Sequence, residues 1–467
     1  MMLFKIGFRN ILRNRRRSAM TGLAVLAGTQ AILLFGGFEA NVFEGLETGA
    51  VQRTGHLTAF REGYFLYGAG NPSAYGIDDY RGVIRLVSED RVLKPLINVV
   101  TPTLSLVGIA GNYSGDTSAA KTFLGVGFVP SDRAQMRAWN EHRVTLASSE
   151  APLKDDDPSI GFVGLGIGRI LGLCSPLKIA NCPQVPDPPS DRPVPDSPNQ
   201  DFKDLQESDV PKDGNLSHAG MPRLDLLGAT ANGAPNVVGF YVSSANPQGV
   251  KELDENVIGM HLSLAQQLVY GRSTPKVTGI TVQLRRTEDL EMARSRLNAL
   301  FRESGMKLDL RDFGDLNPFY VQVKRFFGSL FLFIAAIMGV IVLFTIVNTM
   351  TMAVLERTAE IGTTRALGVK RGGIRRQFLL EGALLGALGA TAGVIVAALA
   401  ASAINRAGIQ WTPPGNAQAT PFTVALWGRT ALMVGTWIAL TLIATLAAWL
   451  PANRAAKLQI VDALRHV

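Results

Sequence analysis

Apolar and polar positions divide this chain into four long uncharged stretches and one long mixed region. Ser18 to Phe38, Phe326 to Leu355, Gly382 to Ile404 and Thr430 to Ala452 contain no Asp, Glu, Lys or Arg. Each meets the ~20 apolar residues that a bilayer's hydrocarbon layer demands, so each predicts a transmembrane helix. Between the first and second, from about Gly49 to Asp315, no stretch is apolar enough to span. The predicted fold is an α-helical membrane domain of four transmembrane helices, with a large α+β domain inserted between helices 1 and 2.

Charge fixes the expected orientation. Arg9, Arg13, Arg15, Arg16 and Arg17 precede the first apolar run; Arg357, Arg365, Lys370, Arg371, Arg375 and Arg376 lie between the second and third; Arg454 follows the fourth. Basic excess in short flanks marks the cytosolic face, which puts both termini inside and residues 49–315 outside. A basic start before an apolar run also fits a secretory signal peptide. The run's full spanning length favours a membrane helix. The helical pattern continues through Glu39, Glu44 and Glu47, and an uninterrupted helix from Pro318 to Leu355 outruns the bilayer, so helices 1 and 2 are both expected to project as stalks. The expected segments are a basic N-terminal segment 1–17, helix 1 with its stalk 18–48, the outer domain 49–315, stalk and helix 2 316–355, a cytosolic segment 356–381, helix 3 382–404, an outer loop 405–429, helix 4 430–452 and a cytosolic tail 453–467.

Within the outer region, Val99 to Ala110, Lys121 to Val129, Asn236 to Ser243, Val277 to Leu284 and Lys307 to Arg311 read as strands, β-branched runs bounded by turn formers. Ser263 to Tyr270 reads as a helix stopped by Gly271. Thr287 reads as the cap of a helix whose Leu290, Ala293, Leu297, Leu300 and Phe301 share a face, giving a β-α-β unit with its helix on one sheet face. Gly164, Gly166 and Gly168 within Gly161 to Gly172 resemble a dinucleotide loop, but the spacing fails at the third glycine and no acidic ribose partner follows; the stretch reads as a loop entering a helix. Pro183 to Gly214 is rich in proline and aspartate with little to bury, which predicts an extended excursion from the domain. Cys174 and Cys182 are the only two cysteines. An even count in an exported region favours a disulfide, and no further cysteine or histidine is near enough for a metal site.

With 467 residues, 47% of them hydrophobic, and a net charge of +8, the chain reads as a membrane protein whose basic excess serves topology; no nucleic-acid partner is expected. Nowhere does G-x-x-x-x-G-K-[ST] occur, and the five histidines form no catalytic spacing, so neither ATP hydrolysis nor other catalysis is expected of these residues. In helix 3, Gly382, Gly386, Gly389 and Gly393 form small-xxx-small pairs suited to close helix packing, although glycine is also simply common in membrane helices.

The segment 356–381 stands out as a charged, helix-forming connector. Glu356-Arg357-Thr358-Ala359-Glu360-Ile361-Gly362, followed by Arg365-Ala366-Leu367-Gly368, resembles the signature of the FtsX-like permease family, the membrane subunits of MacB-type and lipoprotein-releasing ABC transporters. Arg9-Asn10-Ile11-Leu12-Arg13-Asn14 is similar to that family's N-terminus. Pro451-Ala452-Asn453-Arg454-Ala455-Ala456 through Asp462-Ala463-Leu464-Arg465 resembles its C-terminus, and Val237 to Leu268 looks like the MacB-type periplasmic core domain.

The resemblance implies a multi-pass protein of the bacterial inner membrane with a periplasmic domain. It also implies a dimer with a second permease copy or a paralogue, powered by a separate cytosolic ABC ATPase that carries the ATP and Mg; this chain itself needs no cofactor. Glu356, Arg357, Glu360, Ile361, Arg365, Ala366, Leu367 and Gly368 would then make the ATPase contact, with Leu367 as apolar anchor. The alternative for the charges is pairing within the helix, Arg357 with Glu360, against which Glu356 and Glu360 stack as like charges. In layout the chain is most similar to lipoprotein-releasing permeases, which implies lipoprotein or other lipid-linked cargo drawn from membrane lipid and passed to a periplasmic carrier. Signalling to a cell-wall hydrolase, and drug or peptide efflux through a periplasmic adaptor, are the competing functions.

Overall fold

A computed structural model of the chain describes residues 9, 13, 15–68, 72–113, 119–144, 153–180, 182, 218, 220–248, 251–412 and 419–459. The proline-rich stretch Pro183 to Gly214, Pro413 and Pro414, and the C-terminal motif from Asp462 to Arg465 lie outside the described residues. The chain forms two compact units. One comprises the chain up to Glu47, Asn317–Trp411 and the chain from Thr420; the other is Thr48–Leu316 with Thr412–Ala419.

The first unit is built on four helices long and apolar enough to cross a membrane: α1 (Arg15–Thr54), which gives its last turns to the second unit, and further along the chain helices at Pro318–Glu356, Arg371–Ala407 and Thr430–Lys457. With 40 and 39 residues, the first two of these measure about 60 Å at 1.5 Å per residue, twice the ~30 Å hydrocarbon layer. The third begins at Arg371, well before the apolar run that announced it, because Arg375, Arg376, Gln377, Leu379, Leu380 and Glu381 are good helix formers that continue the helix ahead of the run.

The second unit opens with β1 (Leu57–Arg61), α2 (Tyr80–Glu89) and β2 (Ile97–Asn112), and closes with β8 (Gly279–Leu284), α5 (Leu290–Glu303) and β9 (Leu308–Asp312). These six elements make a β-α-β-β-α-β arrangement with strand order β2-β8-β1-β9, all neighbours antiparallel, the ferredoxin-like split β-α-β. The expected β-α-β unit is thus divided: β1, from the other end of the region, lies between β8 and β9. Ala293, Leu297, Leu300 and Phe301 of α5 and Tyr80, Val83 and Val87 of α2 are buried in the core, worth ~1.5–3 kcal/mol for each large side chain. The capping reading of Thr287 is corrected. It opens a short 3-10 turn, and its hydroxyl lies 3.2 Å from His56 Nε2 because His56, fully buried, needs a partner there.

Everything between β2 and β8 is an insertion. β2 changes partners midway: Ile97 to Thr103 pair with β8, and Leu104 to Asn112 pair with β3 (Ala119–Phe128). α3 (Pro130–Ala138) follows, then β4 (Ile160–Gly164), β5 (Arg223–Ala229), β6 (Pro235–Asn246), β7 (Val257–His261) and α4 (Leu262–Tyr270). The pairings β3-β7-β4-β6-β5-β2 return to β3, closing a six-stranded ring around Phe123, Phe240, Leu104, Leu224 and Ile258. Gly161 to Gly172 is a strand followed by a short helix, and Gly161, Gly164, Gly166 and Gly168 answer to packing. A Cβ on Gly161 would collide with the carbonyl oxygen of Gly259, and one on Gly164 with that of Asp254. Cys174 and Cys182 are joined by a disulfide, with Cα atoms 6.2 Å apart.

Candidate functional site

Continuing the numbering, the Pro318–Glu356 helix is α6, the connector contains α7 (Thr358–Ala366), and Arg371–Ala407 and Thr430–Lys457 are α8 and α9. The expected segment 356–381 is therefore a short helix, a tight turn and the start of α8. The turn follows from Gly368. With φ of +97°, it takes the left-handed conformation, its N–H reaches the carbonyl of Arg365, and Val369 N–H reaches that of Thr364. This pair of bonds satisfies the last carbonyls of α7 as in a Schellman motif. Leu367, held at the apex, is 82% exposed, and the half-exposed Val369 lies beside it. Ala366, Lys370, Arg371, Arg375 and Arg376 are exposed around them. The result is an apolar tip inside a basic rim.

The other face of α7 is fastened to the unit. Ile361 is buried with Val354, Ile374 and Phe378, and Arg357 is 7% exposed. Arg357 Nη1 lies 3.2 Å from Glu381 Oε1 on α8, with both side chains almost wholly enclosed. Arg17 pairs with Glu356 and Arg13 with Glu360, the latter at 2.8 Å. Arg365 donates to the carbonyl oxygen of Leu458, just past α9. The eight residues expected to meet an ATPase thus divide. Arg357 and Ile361 face inward and offer no surface; Glu356, Glu360 and Arg365 are engaged with other helices; Ala366, Leu367 and Gly368 face outward. The Arg357–Glu360 pairing does not occur, because Glu381 offers Arg357 a carboxylate inside the protein and Arg13 takes Glu360.

Sequence reasoning missed Glu381, Arg13 and Arg17. The signal was present: Arg13 and Arg17 are four apart, as are Glu356 and Glu360, so two helices passing antiparallel match charge to charge. Glu381 is the lone carboxylate between the basic rim and the apolar run of α8.

α8 also carries the four glycines, in two sets. A Cβ on Gly382 would overlap that of Ala448, and one on Gly386 would stand 2.5 Å from that of Ala444, both on α9. Cβ atoms on Gly389 and Gly393 would stand 2.8 Å from Val25 Cβ and 2.5 Å from Thr29 Cβ on α1. Small residues therefore let α8 approach α9 with its first half and α1 with its second. Across the seam between α1 and α6, Thr21 Oγ1 bonds Thr349 Oγ1 at 2.9 Å. Outward, Leu332, Phe333, Ile395, Leu399, Leu442 and Leu446 are exposed on these helices, an apolar surface suited to lipid. Among the described residues no group of three or more His, Cys, Asp or Glu is gathered as a metal site.

Four helices long and apolar enough to cross a membrane, with a fastened, basic-rimmed connector between the second and third, give the layout of a multi-span membrane protein. Residues 332–460, which include that connector and the glycine-packed helices, match the family model described as FtsX-like permease C-terminal. The macrolide export ATP-binding/permease protein MacB of Escherichia coli is 30% identical over 192 residues, 41% of this chain and 28% of that protein. The pyoverdine export ATP-binding/permease protein PvdT of Pseudomonas entomophila is 28% identical over 230 residues, 49% of this chain and 33% of that protein. The ABC transporter permease YtrF of Bacillus subtilis is 34% identical over 138 residues, 29% of this chain and 31% of that protein. The chain thus spans about a third or less of the length of these relatives. Over these segments the chain is similar to FtsX-like, MacB-type ABC transporter permeases.

Proposed function

We propose that this chain is the permease subunit of an inner-membrane ABC transporter, taking motion from a cytosolic ATPase at the tip of α7 and passing it to the α+β unit on the periplasmic side. The observation that carries this reading is the division of the connector into an exposed apolar apex, Leu367, and a base fastened to α1, α8 and α9. An apex alone offers a docking point; an apex tied to three helices makes its displacement theirs. By chain order α1 and α6 are the segments that enter and leave the α+β unit, so they are the route. A dimer with a second copy or a paralogue completes the two-ATPase arrangement that the family resemblance implies.

Two classes of cargo are consistent with this architecture. Lipoprotein or lipid-linked cargo, handed to a periplasmic carrier, rests on the similarity of layout to lipoprotein-releasing permeases. Export of amphiphilic small molecules through a periplasmic adaptor is favoured by the names of the relatives, which concern macrolide and pyoverdine export. The test of the relay is Leu367→Asp in the complex assembled with its ATPase. A buried apolar anchor replaced by a charge costs several-fold to a hundredfold in affinity, about 1–3 kcal/mol. Stimulated ATP turnover should disappear while membrane insertion is kept. Unchanged turnover removes the apex from the mechanism.

A further inference from the structure

Among the acidic side chains of the membrane unit, Glu39 on α1 is set apart by its surroundings. Only 9% of it is exposed. It faces α6 at Gly328, where a Cβ would come 3.9 Å from its Oε1, within the charge-free run that begins at Phe326. Among the described residues it has no ion pair. Glu44, one turn further along α1, is taken by Arg429, and the basic residues of α6 nearest to Gly328, Lys324 and Arg325, are exposed, with Lys324 Nζ over the ring of Tyr320 at 5.7 Å. A carboxylate withdrawn from water without a partner is costly, and a protonated one would still want an acceptor for its O–H. An ionisable residue so enclosed, with no ion-pair partner among the described residues, asks for a ligand or a role.

Aromatic residues flank Glu39 along α1 and Gly328 along α6. Phe35, one helical turn before Glu39, stacks with Phe331 at 6.4 Å, and Phe38 meets Phe327 at 6.3 Å. Phe422 and Trp411 also lie against Phe38, at 4.6 and 5.6 Å. Ring faces attract cations, and the apolar ring surface packs against hydrocarbon. Gly328 leaves open the space opposite the carboxylate that any larger residue would enter.

We propose that Glu39 and these rings form a binding site for an ammonium group borne on an apolar body. The carboxylate pairs with the ammonium, and the seam of α1 and α6 receives the apolar part. Two sources carry that chemistry, a membrane lipid with an amine headgroup and a free amphiphilic amine. The site stands on the membrane unit alone and does not depend on the ATPase relay, so its failure would leave that reading intact.

The full chain in dodecyl maltoside is titrated with dodecylamine, which is cationic at neutral pH, and with dodecanol, which has the same tail and no charge. Tryptophan fluorescence reports occupancy, since the Trp411 ring lies 5.6 Å from Phe38. The expected result is one saturable site for the amine, none for the alcohol, and at least a tenfold loss of amine affinity in Glu39→Gln, which is isosteric and keeps the fold. Gly328→Leu, which fills the space and leaves the carboxylate, should block binding as well. Equal binding of amine and alcohol, or undiminished amine binding by Glu39→Gln, overturns the proposal. Displacement of the amine by added phosphatidylethanolamine assigns the site to lipid; retention in its presence assigns it to a free amine.

Discussion

Removing one partner of the Arg357–Glu381 pair should damage the membrane unit far more than removing both. The two side chains are 8% and 5% exposed, and their closest approach is 3.2 Å. Glu381→Gln leaves a guanidinium enclosed with a neutral amide where its carboxylate was, and breaking a buried ion pair this way costs about 3–5 kcal/mol. For a unit of this size, roughly 2–4 °C in Tm per kcal/mol converts this to a fall of about 6–20 °C. The double variant Arg357→Met/Glu381→Leu buries neither charge, keeps comparable volume, and should melt within a few degrees of the parent. The assay is thermal unfolding of the full chain in detergent, followed by size-exclusion chromatography of what remains folded. A Glu381→Gln protein that melts like the parent, or a double variant as unstable as the single ones, would refute the reasoning that the pair is enclosed and mutually compensated. The double variant has a second use. If the pair also holds α7 to α8 during the ATPase cycle, the double variant stays folded and loses ATPase stimulation.

The remaining predictions concern packing, the disulfide and pH. Gly393→Leu, which forces a side chain into Thr29 on α1, should lower Tm through an overpacking cost of about 1–3 kcal/mol or more, whereas Gly372→Leu, with nothing within 4 Å, should not. Reduction of Cys174–Cys182, eight residues apart, should remove about 2–3 kcal/mol of loop-closure stabilisation, read as a reductant-dependent shift in melting of the parent that is absent in Cys174→Ser. His56 is fully buried, its Nδ1 accepts from Leu284 N–H at 3.0 Å, and burial pushes its pKa down to about 3. The unfolded chain, with an ordinary imidazole pKa near 6.5, therefore binds more protons between those values. Stability is full above about pH 6.5 and falls by up to about 1.4 kcal/mol per pH unit as pH drops toward 3. Denaturant titrations across that range should show the slope, and His56→Gln should flatten it.

The sequence announced the four helices because hydrocarbon imposes a length and forbids charge, and both constraints are written residue by residue in Ser18 to Phe38 and its three counterparts. Leu367 and Gly368 were legible for a similar reason. A helix that must stop before another begins needs a residue tolerant of positive φ, and the residue just before it is left at the apex. Five strands of the α+β unit, β2, β3, β6, β8 and β9, were legible as β-branched runs bounded by turn formers, and the helix at Leu290 by its spacing; the short β1, β4, β5 and β7 were not.

What only tertiary structure decided is which partner each group meets. Alternation does not say that β1 enters between β8 and β9, or that β2 serves one sheet with its first half and a closed ring with its second, since strand pairing is chosen by residues far apart in the chain. Nor does local spacing reveal that Arg357 turns inward to Glu381. A charge on a helix looks exposed until a second helix covers it, and the carboxylate that makes its burial tolerable lies beyond a turn. The same holds for Glu39. Its sequence neighbours suggest a wet stalk, and only tertiary packing encloses the side chain until 9% of it is exposed.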